Sequence, residues 1–205
     1  MILNYRKTSE HDRNCLIYLD NSVWGTLPVK VLQTLFLSPA ETTELTDSEA
    51  ETVKAELDKY ACQKLTDWLA KQEHCSTEAE EYLQRFRFHP TIISRNIALA
   101  LERNYINDKR YCRMLIESLL ERRKSRQQIK GKLIEKRLPS SLWEPILSEL
   151  ADKQTVLSIL TEQAEKVYLQ YRHLDRHTCW EKCLTALYRK GFDLASAKEA
   201  LKKIT

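Results

Sequence analysis

The sequence predicts a mainly α fold: a tandem array of three three-helix repeats, preceded by a small N-terminal β-hairpin extension. Three observations predict it. Only three Gly and five Pro occur in 205 residues, against abundant Leu, Glu, Lys and Arg, a composition that favours helix over an all-β fold. Beyond the first fifty residues the apolar side chains recur at helical spacing. A pattern of about fifty residues also recurs three times, as in stacked helical arrays.

The periodic stripes define the long helices. Val53, Leu57, Ala61/Cys62, Leu65 and Trp68/Leu69 form the first. Tyr111/Cys112, Leu115/Ile116 and Leu119/Leu120 form the second, and Val156, Leu160, Ala164, Val167 and Tyr171 the third. The segments that follow align with one another (residues 77–101, 127–150 and 180–201). Leu83, Leu133 and Leu187 coincide, then Phe88, Leu138 and Phe192, then Ile97, Leu147 and Leu201. Each copy reads as a short helix, a tight turn, an apolar anchor and a second short helix. The turn holds Arg87, Arg137 and Gly191; a left-handed residue there suits Gly better than Arg. The expected division is 1–48, 49–103, 104–151 and 152–205.

The N-terminal extension reads differently. Cys15–Leu19 and Val23–Leu27 are β-prone, and Asp20-Asn21-Ser22 between them is turn chemistry. A lone hairpin is marginal in water, so this one must pack on something or gain a strand. A short helix is expected from Pro28 to Leu37, ended by Ser38-Pro39. Residues 41–58 are acidic, with seven Asp/Glu against Lys54.

Apolar content of 42% suffices for a core. No apolar run reaches the ~18 residues a spanning helix needs, and the first residues lack the apolar centre of a secretory signal. A cytoplasmic location without membrane partners is expected. Thiols should then stay reduced, with Cys62 and Cys112 acting as small hydrophobes on their stripes. No glycine-rich phosphate loop, G-x-S-x-G or H-E-x-x-H occurs, so neither enzymatic activity nor a cofactor is expected. Proximity in sequence does not make His11 and Cys15, or His74 and Cys75, into dyads. His173, His177, Cys179 and Cys183 form two i, i+4 pairs, but residues six apart on one helix point ~120° from each other, and no metal site is expected. Trp68, Trp143 and Trp180 are expected to pack between repeats, and Trp24 to pack within the fold.

Charge is placed rather than spread. Residues 121–137 carry eight Lys/Arg and two Glu, a local +6 against +4 for the whole chain. An anionic partner is the first inference. Arg122, Arg123 and Lys124 end a helix, where cations complement the macrodipole. Arg126, Lys130 and Arg137 are expected on one outward side of the next helix, away from Ile129 and Leu133. Arg113 is expected to pair with Glu117 one turn on.

Four segments resemble the RecX family, regulators of the RecA recombinase. Residues 104–112 (NYINDKRYC) resemble its G-Y-[IL]-[DN]-D-x-x-[FY]-A. Residues 123–133 with Lys136-Arg137-Leu138 resemble its R-x-K-G-x-x-x-I-x-x-x-L-x-x-K-G-[IV]. Residues 187–192 (LYRKGF) resemble its L-x-R-[KR]-G-[FY]. Ile17–Asn21 and Phe36-Leu37 are similar to the N-terminal extension of longer members. Asn104, Ser125, Arg87 and Arg137 stand where the family favours Gly. The resemblance implies an elongated, modestly curved array, without catalytic residues, that binds RecA–DNA filaments and damps strand exchange, ATP hydrolysis and co-protease function. The implied partners are the RecA filament and single- or double-stranded DNA, bound weakly and without sequence preference. The candidate binding residues are Arg110, Arg113, Arg122, Arg123, Lys124 and Arg126, with Lys130, Lys132, Lys136, Arg137, Arg189 and Lys190. Two other readings stay open: a scaffold for an acidic protein surface, and a helix-turn-helix DNA binder, although three tandem copies favour plain helical hairpins.

Overall fold

The structure, a computed structural model, describes residues 1–7, 13–35 and 42–204. It divides into two compact units, Met1–Asn107 and Asp108–Thr205. His11, Phe36, Leu37, Ser38 and Pro39 lie outside the described residues.

In the first unit the expected hairpin is β2 (Asn14–Leu19) and β3 (Ser22–Pro28). Its two-residue loop places Asp20 and Asn21 at φ 46° and 63°, the pair of positive φ values that a tight hairpin matched to strand twist requires. Two further strands complete an antiparallel sheet: β1 (Ile2–Lys7) and the short β4 (Thr42–Glu44), in the order β3-β2-β1-β4. Pro28 ends β3, and the following helix is α1 (Val29–Leu35). The sheet packs on α2 (Asp47–Leu69), α3 (Ser76–Gln84) and α4 (Pro90–Glu102). Leu3, Cys15, Ile17, Leu19 and Leu27 share one buried core with Leu57, Leu83, Ile92 and Ile93. At the seam, a Cβ on Gly25 would lie 2.5 Å from Phe88 Cδ1.

The second unit continues the pattern with a long helix and two shorter ones, twice over. These are α5 (Asp108–Glu121), α6 (Arg126–Glu135) and α7 (Ser140–Leu150), then α8 (Lys153–Tyr171), α9 (Arg176–Arg189) and α10 (Leu194–Lys202). The mainly α fold with three three-helix repeats is therefore present, and its N-terminal extension is a four-stranded sheet rather than a bare hairpin. Among the described residues no helix is long and apolar enough to cross a membrane.

The aligned positions explain the repeat. Leu83, Leu133 and Leu187 are fully buried, and Phe88, Leu138 and Phe192 nearly so. Arg87, Arg137 and Gly191 all adopt left-handed backbone, at φ 55°, 54° and 83°. In the second and third copies the anchor N–H reaches back to the aligned Leu carbonyl, Leu138 to Leu133 at 3.2 Å and Phe192 to Leu187 at 3.2 Å. This is the helix-ending turn that pairs an apolar contact with a six-to-one hydrogen bond. Ile97 is only half-buried. Asn96 faces inward beside it, donating to Asp58 Oδ1 and Ile92 O, both at 2.9 Å.

Two packing expectations need correction. Cys62 is exposed, because α2 buries a strict i+4 row, Val53, Leu57, Ala61 and Leu65, and Cys62 falls one residue past it. The tryptophans pack inside repeats rather than between them. Trp68 stacks on His74 and Tyr82 at 3.5 and 4.5 Å between centroids, Trp143 Nε1 donates to Leu138 O at 3.0 Å, and Trp180 packs on the third repeat's core. Trp24 stacks on His89 at 4.3 Å, with Lys54 Nζ 5.1 Å from its ring centroid.

Every helix of the third repeat starts on an aspartate cap. Asp152 accepts from Thr155 N at 2.7 Å, Asp175 from His177 N and Thr178 N at 3.1 and 3.0 Å, and Asp193 from Ser196 N at 2.8 Å. Hydrogen bonds from Thr155, Thr178 and Ser196 hold these carboxyls below the usual range. A folded-state pKa below the unfolded one adds stability above the unfolded value, about 3.9, and that stability is lost as pH falls through the folded value. Amide exchange is therefore expected to show the third repeat loosening first below about pH 4. The D152N/D175N/D193N variant, which keeps the caps, should flatten that acid limb. An unchanged acid profile in the variant would disprove the assignment.

Candidate binding site at a basic junction

The basic segment folds into the turn between α5 and α6 and along α6 itself. Helix α5 ends at Glu121, so Arg122, Arg123 and Lys124 follow its last turn. Arg123 is left-handed at φ 57°, and Lys124 N closes the helix by donating to Leu119 O at 3.0 Å. Ser125 then caps α6: its hydroxyl accepts from Gln128 N at 3.2 Å, while its own N–H donates to Gln128 Oε1 at 3.3 Å. With φ at −68°, Ser125 needs no glycine-like freedom.

The same hydroxyl donates to Lys190 O at 2.6 Å. This bond carries the C-terminal end of α9 onto the N-terminal end of α6. A Cβ on Gly191 would lie 2.8 Å from Ser125 Oγ and 2.9 Å from Gln127 Cβ. The contact sets the Arg189–Lys190 stretch of backbone against the Lys124–Arg126 stretch, segments 65 residues apart at the bond that joins them. Tyr188, 62% exposed, adjoins this junction, and Ile134 on α6 is 63% exposed.

The candidates divide by what they hold. Arg113 makes a forked pair with Glu149, with contacts of 2.9 to 3.1 Å, rather than the expected pair with Glu117. Each partner's charge and hydrogen bonds shift the other, raising Arg113 and lowering Glu149. Arg123 Nε meets Glu162 Oε2 at 2.7 Å, and Lys132 Nζ meets Glu135 Oε2 at 2.6 Å. Arg126 Nη2 donates to Ser148 Oγ at 3.0 Å, and Lys190 Nζ to the Oε1 of buried Gln163 at 2.6 Å. Arg137 lies in the left-handed turn beyond α6, not on its outward side with Arg126 and Lys130. Arg110 and Lys136 are half-buried and have neighbours of their own. Arg122, Lys124 and Arg189 are exposed and Lys130 half-buried. Among the described residues none of these four has an ion-pair partner.

The sulfur and imidazole groups do not gather into a site. Cys179 and Cys183 are buried in the third repeat's core, 4.0 Å apart, and His177 is exposed beside Glu181. Among the described residues no three His, Cys, Asp or Glu side chains converge as a metal site. Burial pushes the Cys15 thiol up to about 11, and burial with Cys179 nearby pushes Cys183 to about 12; both stay protonated at neutral pH. His74 is also buried, with Nδ1 2.9 Å from Glu78 Oε2.

Reading the sequence misses Ser125, Gln163, Glu149, Glu162 and Tyr188 as parts of this arrangement. The S-x-x-Q capping signal was available for Ser125. Nothing local announces the other four.

The fold and this junction define a tandem three-helix-repeat protein that concentrates cations where two repeats meet. No family model matches the chain. Curated relatives include the regulatory protein RecX of Streptococcus equi subsp. equi, 27% identical over 148 residues (71% of this chain, 56% of that one). Regulatory protein RecX of Lactobacillus gasseri is 28% identical over 170 residues (79% and 60%). The chain thus matches less than two thirds of the length of these relatives. Among solved structures, a regulatory protein RecX superposes with a TM-score of 0.70 at 18% identity, over 98% of this chain and 99% of that one. RecX from Lactobacillus salivarius gives 0.66 at 21% identity, over 73% and 97%. The chain is a homologue of the RecX regulatory proteins.

Proposed function

We propose that the protein is a non-catalytic regulator that binds RecA–DNA filaments in the cytoplasm and restrains strand exchange, ATP hydrolysis and co-protease function. The observation that carries this reading is the junction of α6 with α9 in a RecX homologue. There Arg122, Lys124 and Arg189 are exposed and have no ion-pair partner among the described residues, and Tyr188, next to Arg189 in sequence, is exposed as well. Exposed cations with an exposed aromatic residue in the same segment match a partner that is anionic and presents flat groups, as filament-bound DNA does. Arg113, Arg123 and Lys132 are already paired with glutamates; in this reading Arg123 ties the second repeat to the third, Arg113 ties α5 to α7, and Lys132 serves only its own helix.

The test is single-strand-dependent ATP hydrolysis by RecA, measured while this protein is added. Hydrolysis is expected to fall at amounts well below one copy per recombinase, and less so as salt rises. Unchanged hydrolysis in clear excess would overturn the proposal. Binding to a short duplex without recombinase, combined with that null result, would favour the helix-turn-helix reading instead.

A further inference from the structure

The outer face of the N-terminal sheet has a chemistry that the proposed function leaves unused. Strand alternation sends Cys15, Ile17 and Leu19 into the core and leaves Leu16 and Tyr18 on the other face. Across the sheet, Arg6 sits opposite Leu16, and Leu16 opposite Thr26; Asn4 sits between Tyr18 and Thr42. Thr26 Oγ1 donates to Phe86 O at 2.8 Å, which fixes the turn between α3 and α4 along one side of this face.

Two adjoining cavities, of about 540 and 780 Å³, lie over the face and share Arg6, Lys7 and Tyr18. The smaller is walled on its far side by Arg85, Phe86 and Arg87. Among the described residues no Asp or Glu lines either one. Arg6, Lys7, Arg85 and Arg87 are all exposed, and none has an ion-pair partner among the described residues. Arg87 also sits at φ 55°, where the third repeat has Gly191. A residue with a Cβ is disfavoured there, and Arg is not among the types that tolerate it best.

We propose that this sheet face is a binding groove for single-stranded DNA. Arg6 on one side of the groove and Arg85 and Arg87 on the other, without ion-pair partners among the described residues, complement a phosphate backbone, and Tyr18 offers a ring on which a base can stack. A duplex keeps its base faces inside the stack and has nothing to offer that ring. The choice of DNA over RNA rests on the recombinase reading. Measurements made without recombinase separate the failure of this proposal from the failure of that one.

The experiment uses the full chain and a fluorescent oligothymidylate of about 15 nucleotides, followed by anisotropy as salt is raised. A 4-thiothymidine version is photocrosslinked and the adducts mapped. Adducts are expected at Tyr18 or within residues 85–87. The R6E/R85E variant is expected to bind at least about tenfold more weakly, with a log–log salt slope shallower by about 1.4. R87G removes one cation while relieving its backbone, so it is expected to melt higher and still bind more weakly. Wild-type affinity in R6E/R85E or in R87G would overturn the proposal. So would adducts confined to residues 108–205, equal competition by a duplex, or tighter binding of oligouridylate.

Discussion

The R122E/K124E/R189E variant is expected to lose regulation of the recombinase while keeping its stability. All three side chains are exposed and have no ion-pair partner among the described residues, and substitutions at such positions usually change stability by no more than about 0.5 kcal/mol. Their effect on an anionic partner is much larger, because each reversal removes a favourable charge and adds a repulsive one. The amount needed to halve RecA-dependent ATP hydrolysis should rise by at least about tenfold, with a log–log salt slope shallower by about 2 if the three meet phosphates. The matched control is R113A. It breaks an exposed pair with Glu149, of a kind that contributes little to stability, and should leave inhibition close to wild type. Full potency in the triple variant would move the contact surface elsewhere.

What could be read from the sequence follows from how local each feature is. The long helices were legible because their buried rows repeat every turn. The helix-ending turns were legible because the Leu and the apolar anchor five residues later are the two ends of one hydrogen-bonded motif, Leu133 with Leu138 and Leu187 with Phe192. The hairpin was legible because its loop chemistry sits between two β-prone runs. Strands β1 and β4 were not. Only Leu3 is fully buried on β1, and β4 is three residues of TTE; β4 exists because Ile2–Asn4 offers an open edge some forty residues away in sequence.

The candidate site shows the same division. The charge run was plain in the sequence, but its neutralisation was not, since Glu149 and Glu162 come from other helices. Arg113 had Glu117 at the right helical spacing, yet Glu149 meets its guanidinium in a fork, a stronger geometry than a single i, i+4 contact. The meeting of the α9 end with the start of α6 depends on one hydroxyl and one carbonyl in different repeats. The grouping of Arg6 and Lys7 with Arg85 and Arg87 likewise appears only when a strand and a helical turn are brought together.

The seam between sheet and first repeat makes the second large prediction. Gly25 stands at φ 145° in β3, beside an irregularity where the pairing with β2 shifts. A Cβ there would meet Phe88 Cδ1 at 2.5 Å and Leu57 Cδ2 at 3.1 Å. Gly25→Ala therefore imposes two separable costs, a backbone conformation that L residues rarely adopt and a collision with the anchor of the first repeat. Overpacking a core costs about 1–3 kcal/mol, and strained backbone about as much again, so a loss of roughly 2–6 kcal/mol is expected on chemical denaturation. A double-mutant cycle separates the two parts. Phe88→Val removes the δ carbon, so Gly25→Ala should cost about 1–3 kcal/mol less in that background, leaving the backbone cost. Equal costs in both backgrounds would show that the sheet does not rest on Phe88 at this point. Because Leu3, Ile17 and Leu27 share a core with Leu57 and Leu83, amide exchange in G25A should rise in β2 and in α2 together, while α8 to α10 of the second unit keep their protection.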